Sequence, residues 1–179
     1  PTRRSSDLAS LLISSKNQVF LFGGELREPS SSVFGGWTIS QINQIQVDLC
    51  FLGTDGFSNV DGPTSPSSSD VFVDQAIISH AEKRYILGDY TKFDRKSLYK
   101  ICDWSEITAL ITNKEADLEK IRKIETMTHV ITCKIFNIDM KDKVKSLIVG
   151  IQKSLTILLD FFCMILYFYF DFYASVITF

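Results

Sequence analysis

The run Val47-Asp48-Leu49-Cys50-Phe51-Leu52 leads directly into Gly53-Thr54-Asp55-Gly56, and Asp61-Gly62-Pro63-Thr64 follows shortly after. Glycines at 53 and 56 let the backbone approach a small molecule closely. Thr54 adds a hydroxyl and Asp55 a carboxylate, so the loop has the groups that grip polar oxygens. A strand followed by an ordinary Asp-Gly turn has the same pattern, and on these residues alone both readings stand. Two other places set glycine or charge at a strand end. Gly23-Gly24 follows the apolar residues 18–22, and Gly88-Asp89 follows residues 85–87, with Lys92 just beyond.

Those groups need a scaffold, and the chain alternates apolar strand-length runs with helical periods. Residues 18–22, 47–52, 85–87, 107–112 and 128–133 read as strands. Residues 8–15, 33–45, 70–84 and 114–125 read as helices, with Asp70 as the N-cap of the third. Val33, Trp37, Ile39, Ile42 and Ile45 would share one face of the second helix. Val71, Ala76, Ile77, Ile78 and Ala81 would point inward from the third, and Leu118, Ile121 and Ile124 from the fourth. Residues 25–32 and 53–69 are polar loops. Strands alternating with helices imply an α/β fold, a mostly parallel sheet with helices on both faces. In such a sheet, buried strands are continuous apolar runs, and ligands gather outside their carboxyl ends.

Composition narrows the function. The 179 residues make one domain, and 19 basic against 21 acidic residues leave a net charge of −2 with no block of either sign. A nucleic-acid surface needs clustered Lys and Arg, and this chain has none. Cys50, Cys102, Cys133 and Cys163 are widely spaced, and the only histidines are His80 and His129. That spacing predicts neither a zinc site nor a disulfide scaffold; Cys50 and Cys133 read as small buried hydrophobes in a reducing, cytoplasmic compartment. No metal or cofactor is expected. Trp37 and Trp104 read as packing residues.

Several motifs, taken in order, resemble one family, the C-terminal sugar-phosphate sensor (effector-binding) domain of DeoR-type bacterial transcriptional regulators. Val19-Phe20-Leu21-Phe22-Gly23-Gly24-Glu25-Leu26-Arg27 is similar to its strand and Gly-Gly-x-Leu-Arg turn, and Val33-Phe34-Gly35-Gly36 to the next segment. Residues 48–57 resemble its Asp-x-x-Phe-x-Gly-x-x-Gly-Ile stretch. Asp61-Gly62-Pro63-Thr64 sits where the family has Gly-Leu-Thr, and residues 86–93 resemble Leu-x-Asp-x-x-Lys-Phe. The family usually carries a lysine in the helix that follows; here that stretch is Val73-Asp74-Gln75-Ala76, and Pro63 replaces leucine.

The resemblance implies a fold like ribose-5-phosphate isomerase and a phosphorylated sugar as effector. Backbone N–H groups and a cation would hold the phosphate, and hydroxyls and carboxylates the sugar. The implied ligand-binding set is Gly23, Gly24, Gly53, Thr54, Asp55, Gly56, Gly62, Thr64, Asp89 and Lys92, with Lys92 as the cation and Asp89 either fixing it or accepting a sugar hydroxyl. A solvated Asp89–Lys92 ion pair is the bland alternative, as is a surface role for Arg27. The resemblance also implies a homo-oligomer and a repressor that meets operator DNA through a winged helix-turn-helix, which this chain is expected to lack together with the family's opening phosphate loop. An isomerase-like enzyme is the rival, with Asp55 as its only good base. The second acidic group it needs is missing, so no catalytic residue is expected.

The ends differ from the middle. Residues 1–7 have no apolar period and read as non-native or as a fragment edge, leaving 8–134 as the partial sensor domain. Residues 135–179 form an apolar tail. Its segment 155–179 is long enough to span a bilayer but carries Asp160 and Asp171. Translation of AT-rich non-coding or frame-shifted DNA, a membrane anchor and a packing helix all fit it, in that order of preference.

Overall fold

The computed structural model describes residues 20–27, 32–133 and 176–178. In chain order the elements are β1 (Glu25–Leu26), β2 (Val33–Phe34), α1 (Gly36–Ile42), β3 (Val47–Gly53), β4 (Thr64–Ser65), α2 (Ser68–Ser79), β5 (Ala81–Leu87), β6 (Tyr99–Lys100), β7 (Ala109–Asn113), α3 (Leu118–Glu125), β8 (His129–Cys133) and β9 (Val176–Thr178). Short 3₁₀ turns occupy Tyr90–Asp94 and Trp104–Glu106.

The main sheet has the order β8-β7-β5-β3-β9. β3, β5, β7 and β8 are parallel, so their carboxyl ends share one edge. β9 pairs antiparallel with β3 from Leu49↔Thr178 to Phe51↔Val176. The register sets Leu52, Ile86, Leu110 and Val130 in one row. These side chains join Cys50, Ile42 of α1, Ile77 and Ile78 of α2, and Ile121 and Ile124 of α3 in the core. Strand side chains alternate faces, so Phe51, Tyr85, Ala109 and Ile111 turn to the opposite side and are buried as well. Phe51 stacks on Tyr85 with ring centroids 5.1 Å apart. Burial on both faces is why residues 49–52, 85–87 and 109–111 are unbroken apolar runs.

Two of the three helices start at a side-chain cap. The Ser67 side chain accepts from Asp70 N at the head of α2, and Asp117 accepts from Glu119 N and Lys120 N at the head of α3. Such caps satisfy orphan N–H groups and contribute about 1 kcal/mol each. α1 starts after Gly35, whose φ of 97° is open to glycine and strained for other residues.

Several expected boundaries move. Residues 33–45 do not form one helix, because Val33–Phe34 pairs antiparallel with Glu25–Leu26 and Gly35 then turns the chain. The polar 25–32 stretch therefore contributes a hairpin strand, and the described residues 20–22 lie outside any strand. α2 is capped by Ser67 rather than Asp70 and stops at Ser79 instead of reaching Arg84. Ala81 to Arg84 have helix-forming side chains, but pairing with β3 from Val47↔Ala81 onward claims them for β5. α3 begins at Leu118, after Asp117, and Leu118 is 68% exposed rather than inward-facing. Trp37 is 76% exposed, whereas Trp104 is buried. The predicted helix over 8–15 lies outside the described residues, as does the tail apart from 176–178. Among the described residues, no helix is long and apolar enough to cross a membrane.

Candidate functional site

The carboxyl ends of β3, β5 and β7 bring together the loop 53–65, the turn Gly88–Asp94 and Asn113. Thr54 anchors the first loop. Its buried hydroxyl receives Gly56 N at 3.2 Å and Thr64 N at 3.3 Å. Asp55 N donates to Thr64 O at 3.0 Å, and Thr64 Oγ1 donates to Gly56 O at 2.5 Å. Thr54 and Thr64 thus shape the loop with the groups the sequence offered to a ligand.

A second segment, 95–104, lies across this loop. Ser58 N donates to Arg95 O (2.7 Å), Ile101 N to Pro63 O (2.9 Å) and Trp104 N to Asp61 O (3.0 Å). β4 and β6 pair antiparallel in the same crossing. The two backbones approach so closely that a Cβ on Gly56 would lie 2.3 Å from Arg95 O, and one on Gly62 would lie 1.9 Å from Cys102 O. Both glycines permit a close approach, and the partner there is the chain's own segment. Phe57 turns into the core beneath, edge-on to Phe93 and Trp104 at 4.9 and 5.3 Å.

The turn after β5 carries the charge. Asp89 is buried, its Oδ1 accepting from Thr91 N at 2.7 Å. Asn113 Oδ1 accepts from Tyr90 N at 2.7 Å, tying this turn to the end of β7. Phe57 N donates to Lys92 O at 3.2 Å, which fastens Lys92 beside the first loop. Lys92 is 9% exposed. Among the described residues no carboxylate pairs with it; the ion pairs there are Arg27–Asp70, Lys100–Asp103 and Lys120–Asp94. The solvated Asp89–Lys92 pair is therefore not what forms.

Asp55 remains half-buried at the loop's outer edge, with Ser97 Oγ donating to its Oδ2. Gly53 ends β3 in register with Leu87. Gly23 and Gly24 belong to a different contact. Gly23 O accepts from Thr38 Oγ1 and Gln41 Nε2 of α1, and a Cβ on Gly24 would meet Thr38 Oγ1 at 2.0 Å. No hydrogen bond among the described residues ties these two glycines to the strand-end loops. Arg27 is no surface bystander: it reaches Asp70 Oδ2 at 2.5 Å and Ser67 Oγ at 2.9 Å at the head of α2, and lies over the Phe34 ring.

Ser97 and Asn113 were not singled out by the sequence. Ser97 is 42 residues from its partner Asp55, and no local pattern reports such a contact. Asp74 stands in α2 where the family usually carries a lysine. It is buried, its Oδ2 has no hydrogen-bond partner among the described residues, and burial, reinforced by Asp70, holds its pKa well above the usual carboxylate range. A carboxyl group, protonated or not, cannot replace a cation. Burial likewise pushes the Cys50 and Cys102 thiols up to about 12, so neither is a nucleophile at neutral pH. Among the described residues no group of three or more His, Cys, Asp or Glu could hold a metal ion.

Comparison with known proteins decides the family. The model of the family described as "DeoR C terminal sensor domain" matches residues 4–114. This chain belongs to that family. The lactose phosphotransferase system repressor of Staphylococcus epidermidis is 30% identical over 115 residues, 64% of this chain and 45% of that protein. The HTH-type transcriptional regulator GlpR of Haloferax volcanii is 29% identical over 122 residues, 68% of this chain and 48% of its own. A putative aga operon transcriptional repressor of Escherichia coli O157:H7 is 29% identical over 109 residues, covering 59% of this chain and 40% of that protein. The chain thus spans rather under half the length of these curated relatives. All three are named as regulators or repressors of transcription rather than enzymes, against the isomerase alternative, and the parallel α/β sheet is the fold the resemblance implied.

Proposed function

We propose that this sensor domain belongs to a DeoR-type repressor of sugar metabolism and binds a phosphorylated sugar at the carboxyl ends of β3 and β5. The observation that carries this is Lys92, 9% exposed and without an anionic partner among the described residues. Among the described residues its ammonium has no carboxylate on it, so the charge is free to meet an anion, and a phosphate would supply that partner. Asp55 and the buried Asp89 stand in the adjoining loops as acceptors for sugar hydroxyls, and Gly53 and Gly88 line the strand ends. Binding would shift the intact regulator between DNA-competent and DNA-incompetent oligomers in the cytoplasm. The names of the relatives, among them a lactose phosphotransferase system repressor, support the sugar connection.

The test is thermal unfolding of the full chain with ribose 5-phosphate, fructose 6-phosphate, glycerol 3-phosphate and inorganic phosphate, beside Lys92→Met. A ligand at a hundred times its Kd stabilises by about 2.7 kcal/mol, a shift of several degrees that Lys92→Met should abolish. No shift with any anion, or shifts that survive Lys92→Met, would overturn the proposal.

A further inference from the structure

Asp55 is held at two points, its backbone and its carboxylate. Its N–H is fixed on Thr64 O at 3.0 Å. Its Oδ2 receives the Ser97 hydroxyl. The Ser97 N–H is in turn fixed by Thr64 Oγ1 at 2.9 Å, and Ser58 N holds the neighbouring Arg95 carbonyl at 2.7 Å. Thr64 thus braces the backbone at both ends of the Asp55–Ser97 contact. A carboxylate offers acceptor sites on both oxygens. With Oδ2 engaged, Oδ1 is the oxygen presented in a defined direction. No other hydrogen bond of the Asp55 side chain forms among the described residues.

We propose that Ser97 is a specificity-determining positioning residue of the sensor site. By holding Asp55 Oδ2, it aims Oδ1 at a hydroxyl of the phosphorylated ligand and lets the domain tell a hydroxylated phosphate ester from bare phosphate. The inference rests on the sugar-phosphate proposal and adds the residue that makes the site selective. Acceptors fixed in advance select ligands because no ordering cost is left to binding. The backbone at Ser97 is pinned independently of its hydroxyl, so Ser97→Ala removes the aim of Asp55 without freeing the segment.

Calorimetric titration of the full chain measures the ratio of affinities for fructose 6-phosphate and inorganic phosphate. Ser97→Ala should lower that ratio about tenfold, the size of one charge-assisted hydrogen bond, with inorganic phosphate affinity unchanged. Ser97→Thr, which keeps the hydroxyl, should restore the ratio, and Asp55→Asn should lose it. Equal losses for both ligands in Ser97→Ala would assign Ser97 a purely structural role and overturn the inference. So would a wild-type protein that binds phosphate through Lys92 but does not prefer the ester, while leaving the anion site intact. Binding of neither ligand would remove the underlying proposal and this one with it.

Discussion

Asp74→Asn tests whether the core of α2 carries a neutral acid. Asp74 is 3% exposed, and Oδ2 has no donor among the described residues. Burial raises its pKa and the neighbouring Asp70 adds to the shift, so the folded pKa lies well above the ordinary 3.8. In the window above 3.8 the folded chain therefore holds a proton that the unfolded chain has released. Stability is greatest below that window and falls as pH rises through it. The slope reaches about 1.4 kcal/mol per pH unit, and the loss ends once the folded pKa is passed. Asparagine keeps the shape and does not titrate. Urea unfolding followed by circular dichroism at pH 5, 6, 7 and 8 should show this slope in the wild type and its loss in Asp74→Asn. The variant should be the more stable protein at the alkaline end. Parallel profiles for the two proteins would refute the reasoning. So would a wild type that gains stability with pH through Asp74, since the carboxylate would then be charged and partnered.

Gly62→Ala should cost about 1–3 kcal/mol in urea unfolding, because the new Cβ would lie 1.9 Å from the Cys102 carbonyl with backbone on both sides; a loss below about 0.5 kcal/mol would mean the two segments are not closely apposed. Arg27→Met removes the guanidinium that lies over Phe34 and bonds Asp70 (2.5 Å) and Ser67 (2.9 Å). It should destabilise by about 1–3 kcal/mol. In a double-mutant cycle with Asp70→Asn the two losses should not add, and full additivity would exclude the pair.

What was legible in the sequence was whatever short-range pattern decides. The apolar run of β3 and the polar loop after it are local, as are the Asp-x-x-Lys turn after β5 and the inward faces at Ile77, Ile78, Ile121 and Ile124. What was not legible depended on partners far away. Ala81–Arg84 is helical by propensity and becomes strand because β3 lies beside it. Val33–Phe34 leaves its helical period to pair with Glu25–Leu26. Trp37 occupies a helical face with its neighbours, yet only Thr38 and Ile42 of α1 are buried. The candidate site divides the same way. Asp55, Asp89 and Lys92 were recognisable as residue types at strand ends. That Thr54, Gly56, Gly62 and Thr64 serve the loop itself, and that Ser97 meets Asp55, follows from a crossing of two segments that no periodicity records.

That crossing has a consequence for how the domain can change over generations. The loop after β3 keeps its shape through main-chain bonds, such as Ser58 N to Arg95 O and Ile101 N to Pro63 O, and through the hydroxyls of Thr54 and Thr64. Few of these contacts involve the side chains proposed to meet the effector. Under the proposed function, substitution at Lys92, whose side chain takes part in none of these bonds, would alter what is recognised while the mould around it stays put. On that proposal a change of effector would cost the fold little, whereas a change at Gly56 or Gly62, where a Cβ would meet the Arg95 or Cys102 carbonyl, would cost it much.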